Sequence, residues 1–196
     1  MPGRIVFLTK EPSMSGTLRA VLPRLFPHWV EEEHWLAIPH RGKTALEASI
    51  PKKLAHWSRP ADRFVILRDN DGSDCKRLKA RLRALASARP ASEVLIRIVC
   101  QELESWFLGD LAAVQAAYGR LPSQARQDSR TFRDPDRLTN AADELKKLTG
   151  IPGKVARAEA ISPHLQTDPA QNRSASYGAF ITGIQRLVAS PAPALC

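Results

Sequence analysis

The sequence reads FVILRDNDGSD from Phe64 to Asp74, and this stretch decides the fold. Its four leading apolar residues suit a strand that is covered on both faces, and Gly72 then allows the backbone to turn into a helix. Asp69 and Asp71 therefore lie at the carboxyl end of a predicted strand, the edge of an open α/β sheet where ligands bind. Residues at i and i+2 of an extended backbone point the same way, so the two carboxylates repel each other unless a cation lies between them. The stretch predicts a Mg²⁺ site.

Strand and helix patterns alternate over residues 1–110 and then give way to helical patterns alone. Short apolar runs at 4–9, 35–39 and 94–100 predict three further strands, and helical spacing follows each of them. This alternation predicts an α/β core with a mostly parallel sheet of about four strands and helices on both faces. Residues 111–196 predict a helical extension packed on that core as one compact unit, with a long, mobile loop at 120–137 and a tail from Ser190. Ser13 is the candidate cap of the first helix, and Asp110 is the candidate cap of a short helix that ends at Gly119.

The length and composition are those of a globular protein. A chain of 196 residues with 43% apolar content can bury a sizeable core. The amino terminus lacks the pattern of an export signal, and no apolar run approaches the roughly 18 residues that span a membrane, so we expect a cytoplasmic protein without a membrane partner. The three cysteines are widely spaced and suit free thiols. The net charge of +9 favours nucleic acid as partner, the alternative being a basic surface that serves solubility alone.

Acidic residues follow two other predicted strands. Glu11 comes after the first strand, and Glu102 and Glu104 come after the fourth. Because the carboxyl ends of parallel strands meet at one edge, we expect these acids to lie near Asp69 and Asp71. Mg²⁺ prefers oxygen ligands and promotes phosphodiester hydrolysis, which makes Glu11, Asp69, Asp71 and Glu102 candidate ligands for Mg²⁺ or Mn²⁺. The catalytic candidates are Glu11, Asp69, Asp71 and Glu104. The alternative is that Asp-Asn-Asp-Gly only forms a turn, with one Asp capping the next helix.

Basic residues flank the same predicted edge. Arg41 and Lys43 belong to a turn that resembles the end of a phosphate-binding loop, although the glycine that such a loop needs upstream is missing. Lys76 and Arg77 begin a basic helix that directly follows the acidic strand end. These side chains could hold a nucleic-acid backbone, and a solvated helix face is the equal alternative.

Five motifs resemble the Toprim-like proteins of the domain-of-unknown-function family 4276 (DUF4276). They are EPSM at 11–14, RFVILRDNDG at 63–72, RIVCQELESWFLGD at 97–110, FRDPDRL at 132–138 and NRSASY at 172–177. The resemblance implies a Toprim fold, the module of topoisomerases, primases and overcoming-lysogenization-type nucleases. In that fold a Glu after the first strand and an Asp-x-Asp after the third form the Mg²⁺-dependent site. It also implies a partner ATPase and an effector role in antiphage defence.

The first motif departs from that family pattern. Alignment on Pro12 places Lys10 where a Toprim protein has its Glu, with Glu11 one residue later. If Glu11 replaces that Glu, the resemblance implies a Mg²⁺-dependent nuclease acting on DNA or RNA, with Glu11 as acid/base. If Lys10 instead binds phosphate, it implies a non-catalytic subunit that binds nucleic acid or a nucleotide. The C-terminal helices either cover the sheet or form a homodimer face.

Overall fold

The computed structural model describes residues 3–119 and 126–190. Its strands are β1 (Ile5–Thr9), β2 (Trp35–Pro39), β3 (Arg63–Asp69) and β4 (Val94–Val99). They form one sheet in the order β2-β1-β3-β4, and every neighbouring pair is parallel. The predicted α/β fold with a mostly parallel four-stranded sheet is therefore confirmed.

Helices follow the strands and then continue alone to the end of the described chain. They are α1 (Pro12–Leu25), α2 (Lys43–Ala55), α3 (Cys75–Leu85), α4 (Glu104–Leu108), α5 (Leu111–Tyr118), α6 (Ala141–Thr149), α7 (Lys154–Ile161) and α8 (Ala175–Ala189). Asp110 caps α5 and Gly119 ends it in the left-handed conformation, as the sequence predicted. Within the described ranges, no helix has both the length and the apolar character needed to cross a membrane.

Each strand contributes side chains to two cores, because successive residues of a strand point to opposite faces. Phe7 and Val65 face the core that holds α1 and the helices after β4. Val6 and Ile66 face the core that holds α2 and α3. On the first face α7 packs against α1, and α8 packs against β4. The division of the chain at residue 110 into core and extension stays a prediction.

The structure corrects two local predictions. Ser13 was expected to cap α1, but the helix begins at Pro12, a residue that suits the first helical position, and Glu11 occupies the cap position without a side-chain capping bond. Residues 126–137 were expected to be part of a mobile loop, but Gln127 is buried and its amide donates 2.9 Å hydrogen bonds to the carbonyls of Leu108 and Phe132. The rest of that loop, at 120–125, and the predicted tail after Ser190 lie outside the described residues.

Candidate functional site

Lys10 lies between the two aspartates that the sequence singled out. Its Nζ donates to Asp69 Oδ1 at 2.5 Å and to Asp71 Oδ1 at 2.7 Å. Lys10 directly follows β1, and Asp69 ends the neighbouring strand β3. The parallel sheet thus brings together residues that are far apart in sequence, and the strand-end aspartates meet a cation supplied by the chain itself.

The backbone explanation for this convergence needs a correction. Asp71 is not in extended conformation, because its φ of +46° lies in the left-handed region. Asn70 fixes this turn: its Nδ2 donates to the Ser73 carbonyl at 2.7 Å, and its Oδ1 accepts from the Gln101 N–H beyond β4. The turn, and not the alternation of a strand, directs Asp71 toward the same ammonium group as Asp69.

Turn chemistry explains other residues of the stretch. Asp74, which follows the turn, accepts a 2.7 Å hydrogen bond from the Arg77 N–H and caps α3. The capping role that the sequence left open for one of the aspartates thus belongs to Asp74. Helix capping does not explain the contacts of Asp69 and Asp71 with Lys10.

Negative charge exceeds positive charge around Asp69. Burial raises the pKa of Asp69, the hydrogen bond and charge of Lys10 lower it, and the charges of Asp71 and Glu11 raise it again, with a result of about 6. Burial lowers the pKa of Lys10, but the hydrogen bonds and charges of Asp69 and Asp71 together outweigh that effect and raise the pKa above its usual value. One ammonium group therefore compensates this set of carboxylates only in part.

The acids after β4 form a second group with cations of α7. Glu104 is buried, and its Oε1 lies 3.3 Å from Arg157 Nη2 and 3.8 Å from Lys154 Nζ. Glu102 Oε1 lies 3.5 Å from the same Lys154 Nζ, and Glu102 Oε2 accepts from the Ala142 N–H at 2.9 Å. Sequence reasoning missed Lys154 and Arg157, because nothing in the pattern of α7 indicates which strand end it approaches.

Glu11 connects the two groups electrostatically. Its charge contributes to the raised pKa of both Asp69 and Glu104, after the dominant effect of burial in each case. Ser13 Oγ donates to Glu11 Oε1 at 2.8 Å and orients this half-buried carboxylate. Across residues 3–119 and 126–190, no three Asp, Glu, His or Cys side chains are grouped closely enough to hold a metal ion. The candidate ligands thus occupy two neighbouring groups, and the ligand set of Glu11, Asp69, Asp71 and Glu102 stays a prediction.

The Asp69–Asp71 pair has the donor chemistry of a magnesium site. Mg²⁺ usually takes one or two carboxylates and completes its shell with water and phosphate oxygens. Two carboxylate oxygens here converge on a single cationic atom, Lys10 Nζ, which stands in the place of an ion. The residues fit a divalent cation once the flexible lysine side chain swings away.

The predicted basic residues differ in their distance from this pair. The loop before α2 is tied to the site, because the Gly42 N–H donates to the Lys10 carbonyl at 2.9 Å, and Lys43 Nζ lies 4.0 Å from Asp71 Oδ2. Arg41, Lys76 and Arg77 are exposed. Their role in binding phosphate or nucleic acid, like that of Lys10, stays a prediction.

Sequence reasoning also missed Arg68, a charged residue inside the apolar strand β3. Its side chain is buried, its Nη1 contacts Glu47 of α2, and its Nη2 lies 3.9 Å from Asp71 Oδ2. The interruption of a buried apolar run by an arginine was the available signal, because a buried charge needs partners.

The two C-terminal motifs of the family resemblance build the scaffold. Asp136 of the FRDPDRL motif accepts hydrogen bonds from Ser174 Oγ at 2.6 Å and from the Ser176 N–H at 2.7 Å, both in the NRSASY motif. Ser176 Oγ in turn accepts from Trp106 Nε1 at 3.0 Å. These motifs fix the start of α8 and the position of α4.

Comparisons with known proteins agree with this architecture. The solved C-terminal region of the OLD protein from Xanthomonas campestris pv. campestris is 16% identical to the chain, covers 95% of it and 96% of its own length, and superimposes with a TM-score of 0.50. At that identity the likeness shows the fold alone. No curated protein matches the chain by sequence. The family model of DUF4276, a domain of unknown function, matches residues 11–185. The sequence resemblance is therefore confirmed, and the chain belongs to the DUF4276 family.

Proposed function

We propose that this protein is a metal-dependent nuclease that hydrolyses nucleic-acid phosphodiesters at the carboxyl edge of its sheet. One observation carries the proposal: Asp69 and Asp71 direct oxygens at one cation position, and a single ammonium group, that of Lys10, occupies it. A divalent ion carries twice the charge of the Lys10 ammonium and suits such a carboxylate pair better.

Each acid has a role in this proposal. Asp69 and Asp71 hold Mg²⁺ or Mn²⁺, which when bound neutralises phosphate oxygens and lowers the pKa of an attacking water. Glu11, oriented by Ser13 and half exposed, accepts or returns the proton. Glu104, held 3.3 Å from Arg157 Nη2 and 3.8 Å from Lys154 Nζ, orients water. Lys10, once released from the aspartates, faces the phosphate.

A second candidate function is favoured by the same lysine. If Lys10 stays between Asp69 and Asp71, it occupies the cation position permanently and the protein is a non-catalytic subunit that binds nucleic acid or a nucleotide. The partner ATPase and the role in antiphage defence rest on the family resemblance and stay predictions.

Cleavage assays with the Asp69→Asn variant test the proposal. Single- and double-stranded DNA and RNA are incubated with the full chain in Mg²⁺ or Mn²⁺, and we expect cleavage that falls by ~100-fold or more in the variant, because a metal ligand is lost. Glu33→Gln is the matched control, since Glu33 is an exposed carboxylate just before β2, at the opposite edge of the sheet.

The outcomes separate the two candidates. Metal-dependent cleavage that Asp69→Asn leaves at the wild-type rate overturns the assignment of the site. A wild-type chain that binds these nucleic acids in EDTA and cleaves none of them with either metal supports the non-catalytic subunit instead.

A further inference from the structure

A groove runs between α2 and α3 on the side of the sheet away from α1. Its main part is a cleft of about 510 Å³ that Lys43, Glu47, Arg68, Ser73 and Arg81 line. A recess of about 340 Å³ shares Arg68, Ser73 and Arg81 with this cleft and adds Arg77. We call the two together the α2–α3 groove. Cavities that bind small ligands span a similar range, about 300–1,000 Å³.

Positive charge predominates along the α2–α3 groove. Lys43, Arg68, Arg77 and Arg81 line it, against the carboxylates of Glu47 and Asp74, so four cationic side chains face two anionic ones. The Lys43 and Arg81 side chains are 58% and 69% exposed. Because these two cations are largely exposed, they can contact a polyanion in the groove at little cost in desolvation.

Arg68 supplies a second, independent indication of a ligand. The residue is 4% exposed, and in the described part of the chain its Nε is buried without a hydrogen-bond partner. Glu47 accepts from Arg68 Nη1 and also pairs with Arg81 Nη2 at 2.5 Å, so one carboxylate serves two guanidinium groups. An unsatisfied donor on a buried cation is costly, and a phosphate oxygen is the acceptor that an arginine fork suits best.

The two ends of the groove differ in chemistry. One end of the groove has an apolar wall, which suits the faces of bases and is formed by Ala48, Pro51 and Leu85. At the other end Arg68 and Lys43 lie 3.9 and 4.0 Å from Asp71 Oδ2, so the groove opens beside the Asp69–Asp71 pair. An anion bound there lies next to the proposed reaction site.

We propose that the α2–α3 groove binds a single-stranded segment of nucleic acid and leads it to the Asp69–Asp71 pair. The backbone phosphates contact Lys43, Arg68 and Arg81, and a recess of this size receives nucleotide units rather than the side of a duplex. This inference rests on the proposed function for the identity of the ligand. It assigns the contact surface to the groove walls, including Arg68, which the sequence did not indicate.

Binding of a fluorescein-labelled single-stranded oligonucleotide of mixed sequence, measured by anisotropy in EDTA, tests the inference. The full chain carrying Lys43→Ala with Arg81→Ala is compared with the chain carrying Lys52→Ala with Lys79→Ala. Each pair removes two exposed cations, one from α2 and one from α3, and Lys52 and Lys79 lie outside the groove lining. The exposure of all four side chains makes folding of both variants the expected outcome.

We expect the groove variant to bind about tenfold or more weakly and the control variant to keep its affinity within about twofold. The slope of log K against log salt falls in magnitude by about 1.4 in the groove variant, since each single-strand phosphate contact contributes ~0.7. Equal losses in the two variants, or a loss in the groove variant that affects only a duplex of the same length, overturn the inference.

Failure of this inference and failure of the proposed function are distinguishable, because binding is measured without metal. Groove-dependent binding by a chain that never cleaves leaves the inference standing and removes the nuclease assignment. Metal-dependent cleavage by a chain whose single-strand binding does not depend on Lys43 and Arg81 removes the inference and leaves the nuclease assignment standing.

Discussion

Two buried aspartates at opposite edges of the sheet have pKa values that are shifted in opposite directions. Asp62, just before β3, accepts hydrogen bonds from Arg4 N at 2.8 Å, Arg4 Nη2 at 3.0 Å, Arg4 Nε at 3.2 Å and Trp57 Nε1 at 3.0 Å. Burial alone raises its pKa, but these donors overcome that effect and hold the pKa of Asp62 below its usual value. Asp69, at the end of the same strand, shares the single Lys10 ammonium with Asp71, and its pKa rises to about 6.

We interpret the difference as a division of roles, in which the amino edge serves stability and the carboxyl edge is where the proposed ligand binds. At the amino edge one carboxylate has donors on both oxygens, so the charge is fully compensated and the pair holds β1, β3 and the preceding loop together. At the carboxyl edge Asp69 and Asp71 share the Lys10 ammonium group, and the next cations, Lys43 and Arg68, lie 4.0 and 3.9 Å from Asp71 alone. Such under-compensated charge costs stability, and chains retain it where binding or catalysis requires it.

The largest expected effect is the loss of the amino-edge pair. Asp62→Ala leaves Arg4, whose side chain is only 14% exposed, without its partner. Breaking a buried pair by removing one member costs about 3–5 kcal/mol, and the partial exposure of Arg4 favours the lower end, ~3 kcal/mol. Urea unfolding at pH 7 in EDTA measures the change. A loss below ~1 kcal/mol would contradict the view that this edge is the stabilising one.

A smaller, pH-dependent effect is expected at the carboxyl edge. The folded pKa of Asp69, about 6, lies above its ordinary value of 3.8, so between these values the folded state binds more protons than the unfolded state. The wild-type chain therefore loses stability as pH rises through this window, whereas Asp69→Asn, which cannot ionise, does not.

We expect the unfolding free energy of Asp69→Asn minus that of the wild type to increase by ~2 kcal/mol between pH 4 and pH 7.5 in EDTA. Urea titrations at four pH values measure it, with Glu33→Gln as a carboxylate control. The sign at Asp62 is opposite: its lowered pKa gives stability that is present above the unfolded pKa and is lost as pH falls through the folded one. If the difference in unfolding free energy between Asp69→Asn and the wild type does not change with pH, the charge of Asp69 is fully compensated in the folded state.

The smallest expected effect concerns competition between Lys10 and metal. Lys10→Met removes the cation between Asp69 and Asp71, so their repulsion increases and the ammonium group that occupies this position no longer opposes an incoming ion. We expect Mg²⁺ to bind this variant about tenfold more tightly, a gain of ~1.4 kcal/mol. Thermal unfolding over a Mg²⁺ titration measures the affinity, with Lys52→Met as control. Equal or weaker binding by Lys10→Met would mean that Lys10 does not compete with metal.

Much of the fold followed from local sequence. Continuous apolar runs predicted all four strands, since a strand buried on both faces has no polar alternation, and the order of strands and helices predicted the parallel sheet. The position of Asp69 and Asp71 at a strand end followed from the apolar run that precedes them. The conformation of Asp71 did not, because an extended strand and a left-handed turn both bring it near Asp69.

Only the tertiary structure decided how the charges pair. Lys10 meets Asp69 and Asp71 across 59 and 61 residues, and Arg157 of α7 meets Glu104 across 53, distances at which no local pattern identifies a partner. The sequence by itself determined a four-stranded α/β core with acids at the carboxyl ends of its strands, because periodicity and turn chemistry are local. Which acids are compensated, by which cations and how completely depends on side chains from separate elements meeting in space, and that is set by packing.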